Sequence, residues 1–442
     1  QLLYLPTVYS LMVYVLYSLL GWIVVGENPF LGPRVVVFGF FLLTIGIVVS
    51  IVRALVPLRY AWLWGLLLAC SLSIVPDWIL QIRGDFPGIS FSLLAIRLLL
   101  SRGRWSVPLA GFCAGMATQF KFTFVAALAA GCLWLLLRRR WKDAAVFTAT
   151  GVALTGSLYL FWVVREPRML PQITVLRNPI LDVAGCLEFV YHTLREPVVL
   201  LAAAGLPAAW RLGGRWTAVM VFAVISYIIA TATDMQAGGN LNYYFEALFA
   251  LVPIAVVGVL QLTDRRQRAG VAAFTAVVLA FYMVPRARDL YTSVRTRLGS
   301  DSVESSNATF REFERILHGR HIFATASRPA LFDPEPALTE PFLLSNLELK
   351  GFNSRPIVEP VQKGAFDVVI TYSRRTSYRG VPILAPDVDR AISAAYRPVC
   401  DILRYRVYLP REVRAGTAAL ATELPQIGCS APSPEETGRI ER

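Results

Sequence analysis

Apolar blocks dominate the chain from residue 6 to about residue 285. They fall at 6–25, 32–52, 60–80, 86–101, 105–119, 122–137, 142–164, 196–210, 216–232, 244–262 and 269–285, and most of the connections between them are short. An α-helix rises about 1.5 Å per residue, so roughly 20 apolar residues cross the ~30 Å of bilayer hydrocarbon. The blocks predict a mainly α, polytopic transmembrane helix bundle of about ten spans over 1–285. The pieces 105–119 and 122–137 are short for a span and are expected to lie among longer helices. Beyond about residue 286 the pattern changes. Residues 300–307 are polar and linker-like, 309–317 form an amphipathic helix, 321–326, 368–372 and 405–409 read as short strands, and 387–396 as a helix. Strands mixed with helices predict a small C-terminal α/β domain over 286–415, with a disordered tail over 416–442.

Charge orients the bundle. Basic residues cluster in the turns: Arg53 with Arg59, Arg102 with Arg104, Arg138, Arg139, Arg140 with Lys142, Arg211 with Arg215, and Arg265, Arg266 with Arg268. Short basic turns stay in the cytoplasm. The opposite, outer face then collects 78–85, the turn at Lys121, the loop 165–195, residues 234–244, and everything after about residue 286, so the α/β domain is extracytoplasmic. The block 6–25 has no charge before it. It either spans or lies along the outer surface as an interfacial helix.

Composition adds exclusions. Of 442 residues, 55% are hydrophobic and only 17% are charged, against roughly 25% charged in soluble domains. A formal net charge of +13 can mark a nucleic-acid binder. Here the cytoplasmic turns account for the basic balance, and no nucleic acid is expected. Cys70, Cys113 and Cys132 fall in apolar blocks and read as packing residues. Cys400 and Cys429 lie in the soluble part, and their spacing alone leaves open whether they pair. No Walker motif, GxSxG, HExxH or GxGxxG stands in a suitable context.

The candidate chemistry lies on the outer face. Arg83-Gly84-Asp85 precedes a span; Asp85 suits a base, a metal ligand or a hydroxyl acceptor, and equally a helix cap ahead of Pro87. Asp77 is a weaker second. Lys121 stands between two phenylalanines in a tight turn. It suits a phosphate or pyrophosphate, or it snorkels to the surface. The run 234–246 puts Asn240, Asn242, Tyr243, Tyr244 and Glu246 after a Gly pair, which reads as a sugar-binding lip or as ordinary turn chemistry. The loop 165–195 carries Arg165, Arg168, Arg177, Asn178 and His192, and Arg34 opens the span 32–52.

In order along the chain these motifs resemble the GT-C superfamily of membrane glycosyltransferases. The nearest likeness is to its bacterial dolichyl-phosphate-mannose-mannosyltransferase-like branch, which includes the lipid A aminoarabinose transferases. Tyr4-Leu-Pro6-Thr-Val-Tyr9 followed by Gly21 resembles a membrane-surface helix of that family, and Pro33-Arg34 the opening of its next span. Arg83-Gly84-Asp85 resembles its Arg-Pro-Asp, residues 111–123 its Gly-rich span ending in Thr-Lys-x-Ser/Thr, and 239–246 its Asn-x-Asn-Tyr-x-x-Glu segment. Gly84 replaces the family's Pro, and Phe120 its Thr.

The resemblance implies an interfacial helix over 6–25 and transfer of a sugar from a polyprenyl-phosphate donor to a lipid, glycan or protein acceptor outside a bacterial inner membrane. It implies Asp85 as the catalytic carboxylate, and Arg34, Arg83, Lys121, Thr123, Asn240, Asn242, Tyr243, Tyr244 and Glu246 as donor-site residues. It also implies a first span and an acid-bearing outer loop upstream of Gln1. A divalent metal near Asp85 is compatible with the residues and required by none of them. The alternatives are a transporter or flippase, which would show inverted repeats, and a non-catalytic membrane scaffold with an outer binding domain.

Overall fold

A computed structural model describes residues 11–21, 31–57, 61–72, 75, 78–79, 81–165, 181–236, 239–261, 277, 284, 288, 291–292, 300–325, 333, 337–338, 345, 348, 354–372, 377–378, 381–382, 384–403, 405–412 and 415–432. The chain divides into two compact units, one of residues 9–165 and 181–295, the other of 1–8, 166–180 and 296–442.

The first unit is the helical bundle. Its elements are α1 (Leu11–Gly21), α2 (Leu31–Leu55), α3 (Ala61–Cys70), α4 (Asp85–Leu99), α5 (Ser106–Phe120), α6 (Ala126–Leu137), α7 (Trp141–Arg165), α8 (Val183–Leu194), α9 (Pro197–Leu212), α10 (Arg215–Asp234) and α11 (Phe245–Gln261). Short 3-10 turns at Phe122–Val125 and Leu241–Tyr244 precede α6 and α11. Among the described residues Gly32–Leu55, Trp141–Arg165, Arg215–Asp234 and Leu241–Leu260 are long and apolar enough to cross a membrane. The helices α5, of 15 residues, and α6, of 12, are short, as expected, and α5 is largely buried. The block at 60–80 is less regular than its hydropathy implies, because α3 ends at Cys70. The sequence that follows, Leu72-Ser-Ile-Val-Pro76, combines β-branched residues with a proline and continues a helix poorly. The expected span 269–285 lies almost wholly outside the described residues.

Side-chain contacts fix the helix directions. Thr44 Oγ1 meets Ser90 Oγ at 2.8 Å and Arg97 Nε donates to Ser50 Oγ at 2.8 Å, so α2 and α4 run parallel. The pair α5 and α7 is also parallel. Gly111 rests on the Phe147 carbonyl, a Cβ at Gly115 would stand 2.6 Å from the Gly151 carbonyl, and Thr118 Oγ1 meets Thr155 Oγ1 at 3.0 Å. Small residues in helical register allow such backbone approach within a membrane. The same device joins α9 to α11, where a Cβ at Gly205 would stand 2.7 Å from Gly258 N. Trp134 Nε1 donates to the Gly214 carbonyl at 3.2 Å, so the turn carrying Arg138–Arg140 and the turn between Arg211 and Arg215 share one end of the bundle. The starts of α4, α6 and α11 gather at the other end.

The second unit contains α12 (Ser300–Leu317), β1 (Ile322–Ala324), β2 (Ala337–Leu338), α13 (Arg355–Gln362), β3 (Val368–Tyr372), β4 (Ser377–Tyr378), β5 (Val381–Pro382), α14 (Pro386–Ala395), β6 (Tyr396–Ile402), β7 (Tyr405–Pro410) and α15 (Ala415–Glu423). The main sheet has the order β2-β1-β3-β7-β6. Its first three strands are parallel, and β7 pairs antiparallel with both β3 and β6. The period-2 alternation of strands sorts residues to two faces. Ile322, Val368, Ile370 and Val407 pack with Phe313 and Leu317, while Phe323, Val369 and Tyr408 pack with Ile357, Val361 and Ile392. Both faces are thus covered.

Two expectations for this unit need correcting. Residues 300–307 form the start of α12 rather than a linker. Residues 415–430 are ordered rather than a loose tail. Leu420 and Leu424 are buried, Asp401 N donates to the Ser430 carbonyl at 2.8 Å, and Cys400 is disulfide-bonded to Cys429. The Cys pair that spacing left open is therefore joined.

Candidate active site at one end of the bundle

Asp85 is the first residue of α4. Its side chain does not cap the helix, whose N-cap is Gly84. Instead, Oδ1 lies 3.2 Å from Lys121 Nζ and accepts from Asn242 Nδ2 at 2.9 Å. Three segments far apart in sequence therefore converge on one carboxylate oxygen. The other, Oδ2, is buried and has no hydrogen-bond partner.

Lys121 is positioned by a break in the chain. Its backbone is extended, with φ −161° and ψ 135°, between the end of α5 and the 3-10 turn, and Phe124 N donates back to its carbonyl at 3.0 Å. The side chain is only 7% exposed and does not snorkel. Its Nζ stands 3.7 Å from the centre of the Tyr243 ring, close enough for a cation–π contact. Glycine makes the approach of α4 to this turn feasible. A Cβ at position 84 would stand 2.7 Å from the Phe120 carbonyl and 2.9 Å from Val13 Cγ2. The Gly84 found where the family pattern has Pro is thus a packing requirement here.

The segment 240–246 divides its roles. Asn242 and Tyr243 face Asp85 and Lys121. Asn240 accepts a hydrogen bond from Leu241 N at 2.8 Å and starts the 3-10 turn. Tyr244 is fully buried and donates to Asp234 Oδ2 at 3.2 Å. Glu246 is buried in the first turn of α11, beside the hydroxyls of Ser92 and Ser226 and within the field of Lys121. Its Oε1, Ser92 Oγ and Ser226 Oγ have no well-formed hydrogen bond.

The arginines flank the cluster. Arg83 stacks on Trp78, with Cζ 4.6 Å from the ring centre, and its carbonyl accepts from the Tyr17 hydroxyl. Trp78 meets Phe245 edge-on, and Phe86 stacks on the same ring. Arg34 is half-buried in the first turn of α2. The register of α2 against α4 puts it about 8 Å beyond the level of Asp85 along the helix axis. Thr123 is half-buried in the 3-10 turn, and its side chain is not hydrogen-bonded to the cluster. His192 is exposed beside Glu188 at 3.8 Å, and Arg165 is exposed at the end of α7. Asp77, Arg168, Arg177 and Asn178 lie outside the described residues.

Sequence reading opened the run 234–246 on Asp234 without giving that residue a role, and it assigned none to Ser92, Ser226, Tyr17 and Trp78. Asp234 had one visible signal, a carboxylate ending an apolar helix just before a Gly pair. The hydroxyls of Ser92 and Ser226 sit inside apolar helices and gave none. As a metal site the cluster is poor, since Asp85 shares its oxygen with an ammonium and an amide donor. No group of three His, Cys, Asp or Glu side chains gathers among the described residues.

The chain is a mainly helical bundle with polar groups gathered at one end, followed by a small mixed sheet, and its fold is ArnT-like. Two solved structures are similar to it over most of the chain. The crystal structure of ArnT from Cupriavidus metallidurans in the apo state is 13% identical, covering 90% of this chain and 86% of that one with a TM-score of 0.58. The same protein bound to undecaprenyl phosphate is 13% identical, covering 89% of this chain and 86% of that one with a TM-score of 0.58. At this identity the likeness is one of fold. No protein-family model matches the chain, and no curated protein matches it in sequence.

Proposed function

We propose that this protein is an integral membrane glycosyltransferase that moves a sugar from a polyprenyl-phosphate donor to an acceptor at the outer face of a bacterial inner membrane. One observation carries the reading: a buried carboxylate with one unengaged oxygen stands 3.2 Å from the ammonium of Lys121 at the end of the bundle remote from the basic turns. Basic turns favour the cytoplasm, which supports an outer position for Asp85 and Lys121, where a lipid-linked donor would present its headgroup. The ArnT-like fold supports the same substrate class, because that protein has been solved with undecaprenyl phosphate bound.

The reaction is a displacement at the anomeric carbon. The acceptor hydroxyl oxygen bonds to that carbon, its proton passes to Asp85 Oδ2, and the bond from the carbon to the phosphate oxygen breaks. Asp85 acts as general base. Lys121, flanked by Arg83 and Arg34, meets the charge that develops on the departing polyprenyl phosphate. Asn242 holds Oδ1 and so aims Oδ2. Tyr243 presents a ring face beside the ammonium, suited to the C–H face of a sugar. No step requires a metal.

Transfer of radiolabelled sugar from polyprenyl-phosphate donors, measured in membranes, tests the reading. Asp85→Asn and Lys121→Ala are each expected to lose transfer at unchanged expression. Wild-type transfer that survives both substitutions would sink the assignment.

A further inference from the structure

The Asp85–Lys121 pair is closed. The two side chains are 3% and 7% exposed, and Asp85 Oδ2 is sealed from solvent. Lys121 is also committed on its other side to the Tyr243 ring. In this arrangement neither group can reach a ligand. At this burial a phosphate can be met by Lys121 only if the ammonium moves, and Asp85 can receive a proton only once its oxygen is uncovered.

We propose that the ion pair is a latch opened by the donor: the phosphate takes Lys121 from Asp85, and that exchange is what makes the carboxylate available. The inference rests on the glycosyltransferase reading and adds to it how the site is regulated. The donor's phosphodiester carries one negative charge, as a carboxylate does, but both of its non-bridging oxygens can accept from an ammonium with three donors, whereas Asp85 offers Lys121 a single oxygen already shared with Asn242. Asn242 makes the exchange orderly. Its Nδ2 bond to Oδ1, at 2.9 Å, does not involve Lys121, so the carboxylate stays oriented after the ammonium departs. Glu246, buried on α11, also interacts electrostatically with Lys121. Without a donor, the base remains covered and paired, and an acceptor hydroxyl meets no active carboxylate.

The latch makes an unusual prediction. If Asp85 were simply a donor-binding or catalytic group, neutralising it would weaken donor binding or leave it unchanged. If it competes with the phosphate for Lys121, neutralising it strengthens binding while abolishing transfer. Binding of undecaprenyl monophosphate to the full chain in lipid nanodiscs, measured for wild type, Asp85→Asn, Asp85→Ser and Lys121→Ala, separates these cases. The two Asp85 variants are expected to bind the lipid on the order of tenfold more tightly than wild type, and Lys121→Ala to lose binding. Two different neutral replacements guard against one of them failing to fold. Wild type that binds while neither Asp85 variant binds more tightly overturns the latch and leaves the enzyme reading standing. Wild type that does not bind the lipid at all overturns the reading and the latch with it.

Discussion

Asn242 Nδ2 donates to Asp85 Oδ1 across 157 residues of sequence at 2.9 Å, and both side chains are buried. This amide fixes which carboxylate oxygen points away from the pair. Asn242→Ala is therefore expected to lower kcat by about tenfold through misorientation, with the KM for donor little changed. Steady-state transfer kinetics check the split. A rise in KM with kcat intact would show instead that Asn242 holds the donor.

Tyr244 was expected to touch the donor, but its hydroxyl is occupied by Asp234 in a fully buried setting. Tyr244→Phe takes a donor away from a buried carboxylate, at a cost of about 1–3 kcal/mol. Thermal unfolding in detergent should show the loss, while donor KM stays close to that of wild type. A KM effect without a stability effect would support the binding role that the resemblance implies.

Gly84 admits no side chain without moving the Phe120 carbonyl or α1. Gly84→Ala is expected to cost about 1–3 kcal/mol by overpacking and to displace Asp85 from Lys121. Both melting temperature and transfer should fall. Full activity in this variant would mean that the 83–85 turn has slack the contacts do not show.

The bond between Cys400 and Cys429 closes a loop with a sequence separation of 29. Chain entropy alone makes it worth about 3–4 kcal/mol to the soluble unit. Paired Cys400→Ser and Cys429→Ser substitutions should make residues 415–430 sensitive to limited proteolysis, with the bundle's own melting unaffected. Unchanged protease resistance would show that Leu420 and Leu424 hold this segment unaided.

Much of the bundle was legible because apolar runs report membrane-length helices directly. Asp85, Lys121 and Asn242 were visible as polar groups at span ends, where charge is costly and so conspicuous. That they share one oxygen was not visible, because contacts across 36 and 157 residues depend on helix packing that hydropathy does not encode. The division between Asn242, which faces the carboxylate, and Tyr244, which faces Asp234, follows from the phase of one 3-10 turn. In the second unit the first turns of α12 and nearly all of α15 were read as loose chain. Their polar and small residues become helical through a buried face, Phe310 and Phe313 in one case and Leu420 in the other.

The packing of α5 against α7 has a mechanical side. Gly111 and Gly115 set backbone on backbone, with no layer of side chains between the helices to slide or tilt. Thr118 and Thr155 pin the same seam near its Lys121 end. The two helices must behave as one stiff strut that ends at Lys121. Any travel of the Lys121 ammonium must then come from rotation about its own side-chain bonds and from flexing of residues 122–125, a stroke of a few ångströms from a fixed mount.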